Sequence, residues 1–174
     1  MKNYIDCGSF QANTINNYPF PEYRRAAFEC NPLLKNIEYP EDVSVINKAV
    51  WINDDLLKFY VNPNNIDTEG CSLFRDKTTG DLDKINYYYV QGINFSKWLF
   101  INVVPDDYTI VKMNIEGAEY KVLEKCIVDD TIHLIDDLIV YWHKGKIPSI
   151  TDTEHNHLIK DLEKIFDDKL HSFY

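Results

Sequence analysis

The apolar residues of this chain arrive in short blocks, and none of the blocks alternates strictly with polar residues. Tyr4–Cys7, Ala26–Glu29, Val43–Val50, Leu56–Val61, Tyr87–Ile93, Ile110–Ile115 and Leu138–Tyr141 are rich in Val, Ile, Tyr or Phe and are separated by clusters of Gly, Pro, Asn or Asp. A strand with one wet face alternates apolar and polar residues. Runs that do not alternate read as strands covered on both faces, as in a parallel sheet. Helical periodicity lies between and after them. Beyond Gly117, Tyr120, Leu123 and Ile127 fall at i, i+3 and i+7, one apolar stripe. Leu158, Leu162 and Ile165 share a face within Glu154–Asp168, and Thr151-Asp152-Thr153-Glu154 fits a capping box at the start of that helix. Shorter helices are expected at Gln11–Asn17 and Ser96–Val103. Strands mixed with helices give an α/β fold with ligands at the carboxyl ends of the strands, and 174 residues suit one domain spanning 1–174.

Charge narrows the partners. With 28 Asp+Glu against 18 Lys+Arg the formal charge is −10, the opposite of what phosphate neutralisation asks of a nucleic-acid binder. No apolar run reaches membrane-spanning length and the first ten residues carry no secretory pattern, so the expected location is the cytoplasm. Cys7, Cys30, Cys71 and Cys126 form no C-x-x-C pair and read as buried thiols in a reducing compartment. Asn94-Phe95-Ser96 matches the glycosylation sequon, a chance match on this reading.

Three segments carry chemistry. In Asp6-Cys7-Gly8-Ser9-Phe10-Gln11-Ala12-Asn13, an acid at a strand end is followed by Gly and a small residue before a helix. This describes a nucleotide-cofactor turn, in which Gly8 permits a tight bend and the helix offers free N–H groups; an ordinary strand-to-helix turn is the bland alternative. Glu29 ends the second strand about 20 residues later, where an acid accepts hydrogen bonds from both ribose hydroxyls of an adenosine cofactor and disfavours a phosphorylated ribose. In Val111-Lys112-Met113-Asn114-Ile115-Glu116-Gly117, a period of two puts Lys112, Asn114 and Glu116 on one strand face. Buried polar groups need partners, so a buried strand presenting these three implies a use; a strand end emerging into solvent accounts for Glu116 but poorly for Lys112. The polar segment Asn62–Asp83 is too long for an idle connection and reads as a functional or a flexible loop.

Taken in order, "YIDCGSFQANT", "AAFECNP", "VINKAVW", "IVKMNIEGAEYKVLEKCI" and "IDDLIVYWHKGKI" resemble the FkbM-type methyltransferases over roughly residues 3–147, and the K-x-[DN]-x-E-G-x-E block is the most diagnostic part. The resemblance implies a class I methyltransferase fold: a Rossmann-like, mostly parallel sheet of the seven-stranded type flanked by helices, in a minimal version with a short C-terminus. It implies S-adenosylmethionine as cofactor and methyl transfer to an oxygen, often a sugar hydroxyl. Asp6 and Gly8 then match the first cofactor motif, with Ser9 in the same turn. Glu29 matches the ribose acid, Ala49, Val50 and Trp51 the segment passing the adenine, and Asn114 a position usually held by Asp. Glu116 and Glu119 match the E-G-x-E acids. The Asn at 114 removes a base or metal ligand, so no metal is expected. The closing hairpin is expected to shrink to one strand.

Methyl transfer to an alcohol needs alignment and a base. His143, at the end of an apolar strand and with an ordinary pKa near neutrality, is the first candidate, against a structural histidine beneath the site. Glu116 is the second, and Lys112 would orient an acid or steady an oxyanion. Acceptor recognition falls to Asn62–Asp83, including Ser72, to 16–24, or to a second subunit in a homodimer. Trp51, Trp98 and Trp142, with Tyr87, Tyr88 and Tyr89, are candidates for stacking on adenine or sugar, although aromatics in strands are more often core. His155 and His157 do not converge on a helix. The rival functions are a non-catalytic cofactor-binding module, an RNA ribose 2′-O-methyltransferase and, least favoured, a dinucleotide oxidoreductase lacking G-x-G-x-x-G.

Overall fold

The computed structural model describes residues 1–17, 22–34, 36–65 and 69–174. Its elements follow the apolar blocks: β1 (Lys2–Cys7), α1 (Asn13–Asn17), β2 (Tyr23–Phe28), β3 (Val43–Ile46), β4 (Ala49–Trp51), β5 (Leu56–Phe59), β6 (Tyr88–Asn94), α2 (Phe95–Asn102), β7 (Tyr108–Met113), α3 (Glu119–Val128), β8 (Asp137–Tyr141), α4 (Asp152–Phe166) and β9 (Leu170–Phe173). Six strands form one sheet in the order β3-β2-β1-β7-β8-β9, and every neighbouring pair is parallel. The architecture is α/β with helices flanking a parallel sheet, compatible with a Rossmann-like fold.

Among the described residues the sheet has six strands rather than the seven-stranded type, and it ends in a single parallel strand, β9, with no hairpin. Its direction has a physical cause. The 15-residue α4 stands between β8 and β9, and a helical crossover returns the chain parallel, whereas a hairpin needs a tight turn. The block Val43–Val50 also divides. Lys48 N–H turns back onto Ile46 C=O at 2.9 Å, so β3 stays at the sheet edge and β4 leaves to join a small second sheet, β4-β6-β5.

Alternate residues of the parallel strands face opposite layers. Ile5, Cys7, Val111, Met113, Leu138 and Val140 join Phe95, Leu99, Leu123, Leu158 and Leu162 of α2, α3 and α4 in the main core. On the other face Tyr4 and Ala27 pack with Ala12, Ile15 and Tyr39, and this second layer reaches only as far as Ile110. Arg25, buried there, donates to Ile15 C=O and pairs with Asp42, pinning the 37–43 segment over α1. The capping box of α4 is present in full. Asn94 caps α2, accepting from Lys97 N–H, and Ser96 is buried against Asp129, so the sequon residues serve the helix start. Among the described residues no helix is long and apolar enough to cross a membrane.

Candidate functional site

The sheet order reverses between β1 and β7, the place where open α/β sheets leave a crevice at the carboxyl ends of their strands. A cavity of about 300 Å³ opens there, lined among others by Gly8, Ser9, Glu29, Val50, Lys112, Asn114 and Glu116. That volume is at the small end for ligand pockets.

The turn after β1 is held by its backbone. Gly8 and Ser9 N–H both donate to Phe28 C=O at 3.0 Å. Gly8 has φ +78°, and a Cβ there would lie 2.0 Å from Asn114 C=O, so only glycine lets β1 and β7 close on each other. Phe10 and Ala12 also have positive φ, +48° and +60°, which makes this a strained non-glycine loop. Glu29 holds it: its carboxylate accepts from Phe10 N–H at 2.8 Å and Asn31 N–H at 2.7 Å. Burial raises its pKa, and these amides only partly offset that. The Ser9 and Tyr39 hydroxyls meet at 2.7 Å. Sequence reasoning anticipated a longer helix here; α1 is five residues and starts beyond Ala12.

Asp6 and Lys112 face each other in register on β1 and β7. The ammonium lies 2.9 Å from Asp6 Oδ1 and donates at 2.9 Å to Gly8 C=O. Asp6 is fully buried, and its Oδ2 has no hydrogen-bond partner among the described residues. Burial pushes its pKa up against the pull of Lys112. Asp6 therefore lies beneath the cavity, while Lys112 reaches it.

The E-G-x-E turn builds a buried charge cluster. Glu119, fully buried at the start of α3, accepts from Ile115 and Gly117 N–H at 2.7 Å each. Glu116, at φ +55°, is turned toward Lys77 (2.8 Å) and His143 Nε2 (3.2 Å). His143 Nδ1 lies 3.1 Å from Glu119 Oε1, an ion-pair distance without hydrogen-bond alignment. Burial alone would lower the His143 pKa, but the two carboxylates outweigh it and raise it to about 9. Burial likewise opposes ionisation of Glu116, and His143 with Lys77 pull it down to about 2.

These contacts correct several expectations. His143 is buried under Glu116 and does not line the cavity, and its two carboxylate neighbours favour its protonated form, an arrangement that disfavours the expected role of base. Glu116 lines the cavity as a firmly ionised carboxylate, an acceptor of hydrogen bonds and a weak base. Ser72 is 1% exposed and donates to Glu116 C=O at 2.8 Å, fixing the turn instead of meeting a substrate. Trp142 is core: it packs against Tyr120 and His155, and its Nε1 donates to Ser172. Trp51 meets Phe74 edge-on, and of its segment it is Ala49 and Val50 that line the cavity. His155 is buried with Nδ1 at 3.0 Å from Tyr120 Oη, while His157 is exposed.

Sequence reasoning missed Lys77. It is 2% exposed, reaching from the 62–83 segment to Glu116 and to Gly70 C=O at 2.6 Å. The length of that polar segment was the available signal. Its role is to seat a cation under Glu116. Of the segment 16–24 expected to meet the acceptor, 18–21 lie outside the described residues, as do 66–68 within the longer segment. Cys7 and Cys126 are buried in the main core, and Cys30 and Cys71 border the cavity. Comparison of the chain with protein-family models, curated proteins and solved structures gave no match.

Proposed function

We propose that this chain is an S-adenosylmethionine-dependent O-methyltransferase acting on a hydroxyl of a sugar or glycan. The observation that carries the reading is the convergence of Gly8, Glu29 and Asn114, from three separate motifs, on one cavity at the point where the strand order reverses. The donor set suits the cofactor. Glu29, Glu69 and Glu116 line the cavity against Lys48 and Lys112, an acidic balance that favours a ligand of net positive charge. Glu29 would hold the ribose, since a carboxylate bound to two N–H groups keeps lone pairs for hydroxyls. Ala49 and Val50 give the adenine an apolar wall, and Lys112 keeps a donor for the amino acid carboxylate beside Asn114.

S-adenosylmethionine, when bound, supplies a methyl carbon on a sulfonium sulfur. The chain's own task is then alignment. Glu116 accepts a hydrogen bond from the acceptor hydroxyl and fixes its direction, while His143 and Lys77 beneath keep that carboxylate ionised. A second reading, a non-catalytic module of the same fold, draws on the same fact: the anticipated base is already protonated.

Calorimetry with S-adenosylmethionine tests the assignment. Wild type should bind, and Glu29→Ala should weaken binding by roughly 1–3 kcal/mol, the scale of hydrogen bonds to a charged group. Equal affinities would remove the ribose role. Formation of S-adenosylhomocysteine with a sugar acceptor separates the enzyme from the module.

A further inference from the structure

The two halves of the parallel sheet are dressed differently. Helices α2, α3 and α4 cover one face, whereas among the described residues the apolar cluster on the other face ends at Ile110. Beyond it, on the same face of β8 and β9, stand Ile139, Tyr141, His171 and Phe173, with Ile139 opposite His171 and Tyr141 opposite Phe173. The rings of Tyr141 and Phe173 lie stacked, centroids 4.9 Å apart and planes within 16°, yet they remain 39% and 47% exposed. Neither ring is spent on the core.

Their position gives them a use. Gly8 and Asn114 lie one residue past the paired positions Cys7 and Met113, and Tyr141 lies one past Val140. Gly8, Asn114, Tyr141 and Phe173 thus form a single row across four adjacent strands at their carboxyl ends. Tyr141 itself lines the cavity. Strands are about 4.8 Å apart, so Tyr141 stands one spacing beyond Asn114 and Phe173 the next; with one ring face covered by Phe173 on β9, Tyr141 has its other face toward β7 and the cavity. Polar groups flank it on the same face: the His171 imidazole is one row back, and Asp137, held by the Tyr108 hydroxyl, lies behind that.

We propose that Tyr141, propped upright by the stacked Phe173, is the acceptor platform, its cavity-side ring face receiving the C–H face of a pyranose ring and presenting one hydroxyl toward Asn114 and Glu116. The outer face of the Tyr141 ring, beside hydroxyl-binding groups and within the cavity, matches a sugar ring, which has an apolar face and a polar rim. The proposal rests on the methyl-transfer reading and deepens it by naming where the sugar lies.

Saturation-transfer NMR on the full chain tests it, with methyl α-D-glucopyranoside, methyl α-D-galactopyranoside, methyl α-D-mannopyranoside and methyl α-L-rhamnopyranoside as probes and uridine as a base-bearing comparison. At least one glycoside should receive saturation, strongest at the ring C–H groups of one face. Phe173→Ala, which removes the ring that props Tyr141, should reduce that transfer at least fivefold, Phe173→Trp should restore it, and Phe100→Ala, at an exposed ring on α2, should leave it unchanged. Calorimetric affinity for S-adenosylmethionine should be the same in all three variants. Transfer to none of the glycosides, equal transfer in Phe173→Ala, or transfer to uridine alone would overturn the platform. Glycoside binding without S-adenosylmethionine binding would leave the platform standing and remove the reaction; the converse would remove the platform alone.

Discussion

At the scale of single residues the site is governed by paired charges. The four groups Glu116, Glu119, Lys77 and His143 are each too buried to stand alone, and together they are neutral. The pKa directions fix a pH window. His143 is raised from 6.5 to about 9, so its contribution is whole below 6.5 and is lost as pH rises through 9. Glu116 is lowered from 4.5 to about 2, so its contribution is whole above 4.5 and is lost as pH falls through 2. Chemical unfolding followed against pH should therefore show this pair fully stabilising between 4.5 and 6.5 and fading toward 9 and above. His143→Gln should cost about 3 kcal/mol in that window and flatten the alkaline fall, the size expected from a shift of this magnitude. Lys77→Met strips one partner from a buried ion cluster and should cost about 3–5 kcal/mol by the same assay. An unaltered midpoint in Lys77→Met would show the loop cation to be idle.

Within the elements, backbone conformation and capping decide more than side-chain size. Gly8→Ala places a methyl group into Asn114 C=O at a left-handed φ, and should cost more than about 2 kcal/mol in urea unfolding. Thr151→Ala removes the N-cap of α4 and should cost about 1 kcal/mol without touching the cavity. These elements also show how far the sequence could be read. Apolar runs without alternation gave the parallel strands, and the i, i+3, i+7 stripe gave α3, because both are local statements about which faces are covered. The same logic put Lys112, Asn114 and Glu116 on one strand face; all three line the cavity, but the strand ends at Met113 and Glu116 reaches it from a left-handed turn. The logic did not separate β3 from β4: the polar pair Asn47-Lys48 marks the break, but two polar residues do not by themselves say that the chain leaves one sheet for another. Nor could it tell that His143 points between two carboxylates, or that Lys77 reaches Glu116 across 39 positions, because such pairings exist only after the layers have packed.

At the scale of the whole molecule the seam between β1 and β7 sets the terms. Lys2 pairs with Tyr108 and Cys7 with Met113, while α3 and α4 are local structures packed beside that seam. Closing a loop of about a hundred residues is slow compared with forming a helix or a neighbouring β-α-β unit. Pulse-labelled hydrogen exchange during refolding should find amides of α3 and those bonded between β7 and β8 protected before those bonded between β1 and β7; simultaneous protection would contradict this order. The cavity draws one wall from each side of the seam, so a nascent or partly refolded chain has no place for a ligand to sit. Anything that binds there arrives after the slowest step and acts as a latch on a finished sheet, which makes ligand supply a means of protecting the newly folded protein from unravelling and degradation.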